Sequence, residues 1–213
     1  MRKNLYIIGA GGFGREVLAA AKEIETHQTE WKVKGFLNSA AYMDALDGLD
    51  TSGYIICESL EEHVITKDNV YVFAMADVKA KERICNEMVQ KGARFVNLIH
   101  PSAIVANTAN VGVGLIMFPF SSISVNTNIG DFVTINSHSD VSHDVNVGDY
   151  CTIGPRCSVL GHSTLKKGVT LGGSVNIHPN VEIGEYAIVG IGSVVISKVK
   201  NNTTVFGNPA TRI

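Results

Sequence analysis

The chain has no apolar run approaching the eighteen residues that a bilayer-spanning helix needs, which excludes a transmembrane segment of that kind. It has no surplus of basic charge either. Its 18 Lys and Arg face 20 Asp and Glu, a formal net charge of -2, so nothing in the balance points to nucleic acid or an anionic membrane as a partner. Cysteine is scarce. Cys57, Cys85, Cys151 and Cys157 form no CxxC pair, and reduced, buried thiols in a cytoplasmic protein are the expectation. The opening MRKNLYIIGAGG carries two basic residues, but glycines cut its apolar run short, so it reads as a first strand and not as a secretory signal. A length of 213 residues with 45% hydrophobic content suits one large or two modest folded domains.

What the chain has in abundance is period. From Ile99 an aliphatic residue returns at every sixth position through Val105, Val111, Met117, Ile123, Ile129, Ile135, Val141, Val147, Ile153, Val159, Leu165, Leu171, Ile177, Ile183 and Val189 to Val195, seventeen times without a miss. If about one residue in three qualified by chance, such a run would occur roughly once in a hundred million trials. Four places after each of these positions stands a small or aliphatic residue, such as Thr127, Ser139, Cys151 or Cys157. Glycine directly follows at 112, 130, 148, 154, 172, 184 and 190, where a corner needs a backbone free of Cβ clashes. Neither a helix nor a long strand repeats every six residues, but short strands joined by corners do, and the hexapeptide repeat is the signature of a parallel β-helix. Three sides of six residues make a coil of eighteen. Residues 99–200 therefore supply between five and six coils, a prism roughly 25 to 30 Å long at about 4.8 Å per coil. No coil buries its own apolar side, so stability comes from stacking on its neighbours.

Residues 1–98 have a different texture. A strand at 5–8 runs into Gly9-Ala10-Gly11-Gly12-Phe13-Gly14, and helical spacing follows from Arg15 to Ile24. A strand, a glycine turn and a helix N-terminus bring backbone amides to an anionic group, typically a phosphate. The string satisfies G-x-G-x-x-G. Against a dinucleotide, the second strand at 33–37 ends in Asn38 and Ser39 and not in an acid, and the domain is too short for two mononucleotide halves. One phosphate-bearing nucleotide is the expectation, and a turn kept only for helix packing is the alternative. A weak strand at 54–57, a buried strand at 70–76, a helix opened by Asp77 and stopped at Gly92, and a last strand at 95–98 complete a small parallel sheet with covering helices. Its ligand site lies beyond the strand carboxyl ends, near residues 9–15, 37–39 and 75–77. Residues 201–213 break the hexad and are expected to cap the last coil.

Of the seven histidines, His27 and His63 stand in polar stretches and read as solvated, and His100 and His178 as surface corner residues. His143 is the candidate for chemistry. It follows Val141 by two places, on the outside of the prism, and Asp144 follows it. A neutral imidazole near pH 7 accepts a proton from an amine or hydroxyl, and a carboxylate partner raises its basicity and fixes its tautomer. An inert surface His-Asp pair is the alternative. His138 and His143 have ligand-like spacing, but the places one coil away are Phe120 and Arg156, and Val125 and Gly161. No third histidine stacks there, so no metal is expected.

IIGAGGFGREV, VNLIHPSAIV, SHDVNVGDY and VFGNPATRI together resemble the bacterial sugar O-acyltransferases of the sialic acid O-acetyltransferase type, which include UDP-4-amino-sugar N-acetyltransferases. The resemblance implies a Rossmann-like nucleotide-sugar-binding domain at 1–98, a left-handed parallel β-helix of hexapeptide repeats at 99–200 and a capping tail at 201–213. It implies a cytoplasmic homotrimer that uses acetyl-CoA as cosubstrate and no metal. By position, His143 is the general base and Asp144 the acid beside it. Gly11, Gly12, Phe13, Asn38, Ser39, Ala76 and Asn136 would contact the nucleotide-sugar acceptor, and Thr152, Gly173 and Ile191 the acetyl-CoA. Two acids usually follow the second strand in that family, where this chain has Asn38 and Ser39. A non-catalytic trimeric nucleotide-binding scaffold, or an acyl-CoA transferase with a non-sugar acceptor, is the competing reading.

Overall fold

A computed structural model describes residues 2–28 and 30–213 of the chain. Two compact units result, one ending at Leu98 and the other running from Ile99 to Ile213. In the first unit, four parallel strands, β1 (Lys3–Ile8), β2 (Trp31–Asn38), β3 (Ile56–Ser59) and β4 (Asn69–Phe73), lie in the order β3-β2-β1-β4. The central strands read as continuous apolar runs because both faces are covered, by helices α1 (Gly12–Glu25) and α2 (Val78–Gln90). Helix α1 buries Val17, Leu18, Ala21 and Ile24, the stripe its spacing predicts. It starts three residues before Arg15, so the glycine turn is itself the first helical turn. Asp77 caps α2 by accepting a hydrogen bond from the Ala80 amide at 2.9 Å. The expected strand at 95–98 is reduced to a single bridge between Phe95 and Tyr71. Leu98 instead begins the first strand of the hexad ladder.

His63 is not solvated. Its side chain is 3% exposed, packed against the rings of Tyr6 and Tyr71, with Nδ1 on Glu58 at 2.8 Å and Nε2 on the Tyr71 hydroxyl at 2.9 Å. His100 is also buried, with Nδ1 on the Ser102 hydroxyl at 2.8 Å.

The second unit is the parallel β-helix that the hexads predict, left-handed as the family resemblance implies. Seventeen two-residue strands, Leu98–Ile99 to Val194–Val195, each end on one of the seventeen periodic aliphatics. They form three parallel sheets in which every residue pairs with the one eighteen further on, as in the column Val111, Ile129, Val147, Leu165, Ile183. The second periodic series also has a physical reason. Thr127, Ser139, Cys151, Cys157 and Ser163 each donate a hydrogen bond to the carbonyl fifteen residues ahead, at Ser142, Gly154, Lys166, Gly172 and His178, which satisfies corner carbonyls from inside the prism. The glycines after the periodic aliphatics are needed because the next coil's backbone lies where a Cβ would go, 2.7 Å from Lys167 N in the case of Gly148. The left-handed backbone falls two places later. Every sixth residue from Gly114 to Gly192 has φ between +53° and +73°, and eleven of these fourteen are not glycine. Thr204–Gly207 then extends one sheet in parallel beside Ile188–Val189, and Ala210–Arg212 turns back on it through a cis Asn208-Pro209 bond.

Ile153 is fully buried between Ile135 and Leu171, so Ile153→Ala is expected to destabilise the prism by about 3 kcal/mol. Urea unfolding measures this, and a loss below about 1 kcal/mol would mean the column is not tightly packed. Burial pushes the Cys85 thiol up to about 12 and also raises Cys57 and Cys157. A thiol reagent at pH 8 should therefore modify at most Cys57 in the native protein and all four cysteines in urea.

Candidate active site

His143 and Asp144 occupy a prism corner between the strands Asp140–Val141 and Asn146–Val147. The corner is built by stacking. The Asp144 amide donates to the Val125 carbonyl at 3.1 Å, and Thr127 Oγ1 donates to the Ser142 carbonyl at 2.9 Å. Gly161, one coil beyond His143, leaves the room in which the imidazole lies, since a Cβ there would sit 2.6 Å from Cε1 and 2.8 Å from Nε2. Nδ1 of His143 lies 2.8 Å from Asp144 Oδ2. With the proton on Nδ1, the ring donates to the carboxylate and Nε2 keeps its lone pair toward solvent, the tautomer of a general base.

Asp144 and His162 stand eighteen residues apart at equivalent left-handed corners, with φ of +58° and +61°. His162 Nε2 is 3.9 Å from Asp144 Oδ2, and the two imidazoles meet edge to face at 5.2 Å. The hydrogen bond from His143 is the main reason the Asp144 carboxyl is held below the usual Asp range, with Asn126 and the charge of His162 adding to it. The carboxylate is therefore ionised at neutral pH. His143, Asp144 and His162 lie close enough for their ligand atoms to converge on one point. The places one coil from His143 are Val125 and Gly161, as the register predicts, and His162 joins the group by stacking one coil from the neighbouring Asp144.

In the first unit, Gly11, Gly12, Phe13, Asn38, Ser39 and Ala76 line one cavity of about 590 Å³, together with Tyr42 and Arg83. The α1 N-terminus opens into it. Gly11 stands at the cap position with no side chain to occupy the first-turn amides, and no acidic residue lies in that turn, as anion binding there requires. A Cβ on Gly14 would collide with the Gly9 carbonyl, so the third glycine serves helix–strand contact. The Asn38 side chain is buried and donates to the Tyr42 carbonyl at 2.7 Å. Ser39 Oγ donates to Glu61 Oε1 at 3.0 Å.

The PglD N-terminal domain family matches residues 4–88. A curated relative, the GDP-perosamine N-acetyltransferase of Escherichia coli O157:H7, is 31% identical over 128 residues, which cover 58% of this chain and 55% of the relative; the chain thus spans about half the length of that protein. Among solved structures, the acetyltransferase domain of PglB from Neisseria gonorrhoeae FA1090 in complex with acetyl coenzyme A superposes with a TM-score of 0.86 at 22% identity, over 100% of both chains. PerB from Caulobacter crescentus in complex with CoA and GDP-perosamine does so with a TM-score of 0.78 at 25% identity, over 99% of this chain and 97% of that one. Residues 4–88 thus match the PglD N-terminal domain family, and the whole chain has the fold of these hexapeptide-repeat acetyltransferases.

The other positions that the family resemblance singles out lie on a different edge of the prism. Asn136 donates from Nδ2 to the Ile153 carbonyl at 3.1 Å, at the corner after Thr134–Ile135. Gly173 and Ile191 follow one another by one coil along that same edge, where the Gly192 amide donates to the Gly173 carbonyl at 2.9 Å and the Ile191 side chain is exposed. Thr152 lies on the sheet that leads to this edge, paired with Thr134 and Thr170. His143 lies on the next edge, across one flat side. Sequence reasoning left His162 beside His138 and His143 without giving it a role, and did not single out Glu61. The offset of eighteen from Asp144 was a signal for the first, but no local pattern flags the second.

Gly161→Ala should displace the His143 ring without unfolding the prism, because the clash is with a side chain. The Asp144 carboxyl is then expected to titrate closer to the ordinary Asp range, read by carboxyl carbon NMR. A depressed carboxyl stays ionised until the pH falls through its folded value, so the wild-type midpoint must lie below that of the variant. Identical midpoints would mean that His143 does not hold the carboxylate.

Proposed function

We propose that this protein transfers the acetyl group of acetyl-CoA to an amine, or alternatively a hydroxyl, of a nucleotide-linked sugar. The observation that carries this is His143, with Nδ1 fixed on an ionised Asp144 and Nε2 open to solvent. The amine nitrogen attacks the thioester carbonyl while Nε2 takes the amine proton. The tetrahedral adduct collapses by breaking the C–S bond, and the proton held on His143 is available to the departing thiolate. Asp144 favours the imidazolium that forms in between. No covalent acyl-enzyme is needed. The amides at the α1 N-terminus would hold a phosphate of the acceptor, with Gly11, Gly12, Phe13, Asn38, Ser39 and Ala76 around it. Asn136 would approach the sugar, and Thr152, Gly173 and Ile191 the pantetheine arm. The complex of PerB with CoA and GDP-perosamine supports the same reading. We assign the reaction to the cytoplasm, where thiols such as these four remain reduced.

The two edges of one prism that carry His143 and Gly173 are separated by a flat side roughly 15 Å wide, about five residues at 3.3 Å each. A second copy is needed to bring a Gly173 edge beside a His143 edge, and we propose a closed homotrimer with a site at each contact.

His143→Ala should lower turnover with acetyl-CoA and the acceptor about a hundredfold or more and leave the assembly intact by light scattering; a variant retaining most activity would remove His143 from the mechanism. Co-refolding His143→Ala with Gly173→Trp, each inactive alone, should restore about a quarter of the wild-type rate, the fraction of contacts that pair two intact edges. No recovery would place the complete site within one chain.

A further inference from the structure

His162 takes no part in the acetyl transfer proposed above, yet the register brings it to the same carboxylate. Two imidazoles and one carboxylate meet at this corner. His143 Nδ1 lies 2.8 Å from Asp144 Oδ2 and His162 Nε2 lies 3.9 Å from that oxygen, and ligand atoms of the three residues lie within 4.8 Å of one another. A tetrahedral ion about 2.0 to 2.1 Å from its ligands needs ligand atoms roughly 3.3 Å apart. The separations of 2.8 and 3.9 Å fall on either side of that spacing, and small rotations of these exposed side chains close the difference.

The frame beneath the three side chains is fixed. The His162 amide donates to the His143 carbonyl at 3.3 Å, and the Asp144 amide to the Val125 carbonyl at 3.1 Å, so all three stand on one stacked ladder. The Asn126 side chain, one coil before Asp144, hydrogen-bonds the carboxylate, which orients it as outer partners orient a metal ligand.

We propose that His143 Nδ1, Asp144 Oδ2 and His162 Nε2 bind one divalent ion of the Zn²⁺ class, and that the ion switches the base off by changing its tautomer. Two imidazole nitrogens with a carboxylate suit Zn²⁺, whereas Mg²⁺ and Ca²⁺ ask for several oxygens. Water takes the fourth position. To coordinate, Nδ1 gives its proton to solvent and Nε2 takes one up, so the ring stays neutral. Nε2 is then an N–H donor without a free lone pair, and the acceptor amine has no base. The ion is an inhibitor and not a cofactor, because the proposed reaction runs on metal-free His143. Binding stands on the geometry alone; the inhibition rests on the acetyl-transfer reading.

Calorimetric titration of the chelator-treated full chain with Zn²⁺ tests the site, and nitrogen NMR of the imidazoles tests the tautomer. One ion should bind per chain, Mg²⁺ in about a hundredfold excess should not displace it, and His143 should change from Nδ1–H to Nε2–H. His162→Gln should weaken binding at least about tenfold, the least that losing even an outer partner costs. His138→Gln, on another edge of the prism, should leave it unchanged, with the fold of both variants checked by circular dichroism. Saturating Zn²⁺ should lower wild-type turnover at least about tenfold, and a chelator should restore it. Binding indifferent to His162→Gln, or lost in His138→Gln, would overturn the site. A proton that stays on Nδ1 with Zn²⁺ bound would overturn the switch. Full turnover with Zn²⁺ bound and the tautomer changed would overturn the inhibition together with the role of His143 as base. If the metal-free protein transfers no acetyl group, the acetyl-transfer reading fails, while titration and NMR still decide the metal site.

Discussion

The eighteen-residue register of the prism is the constraint on which the rest depends. Each inward aliphatic rests on the ones a coil before and after it, and the hydrogen-bond ladder locks that match. A slip by a single residue would turn every buried column outward. The same register decides which outward residues become neighbours. Asp144 meets His162, and His143 meets the space left by Gly161, because the numbers differ by eighteen and not because the residues are close in sequence. The chemistry of the corner is thus a by-product of how the core stacks.

Strain is placed where it serves. The corner that holds Asp144 and His162 uses left-handed backbone on residues with a Cβ, a conformation costing about 1 kcal/mol or more for each, and the stacked columns on both sides over-determine it. Such a corner presents a side chain rigidly at an edge, as a base aimed at one proton requires. In the first unit the logic differs: glycines withdraw side chains so that helix and strand approach closely and bare amides face a cavity.

Much of this was legible in the sequence. The seventeen aliphatics gave the prism, its coil size and the outward position of His143. The apolar runs and the glycine turn gave the parallel sheet and the helix that follows it. What escaped did so for spatial reasons. His63 sits in a polar stretch but is closed in by Tyr6 and Tyr71 from distant strands, and His100 is covered at a corner that reads as surface. The residues at 95–98 have strand composition, but only Phe95 finds a partner in the sheet. The left-handed positions were hidden because Phe, Tyr, Arg and His occupy half of the fourteen, where glycine would have announced them. Asn38 lines the glycine-turn cavity and its amide also ties down the turn at Tyr42, while Glu61, far along the chain, reaches the same strand end through Ser39.

The central claim is that register, and not local sequence, aims an imidazole at the acceptor. A crystal structure of the protein with CoA and a nucleotide-linked amino sugar tests it most directly. The account predicts the sugar amine about 2.6 to 3.2 Å from His143 Nε2, with Nδ1 still on Asp144. An amine bound elsewhere, with His143 facing open solvent, would contradict it.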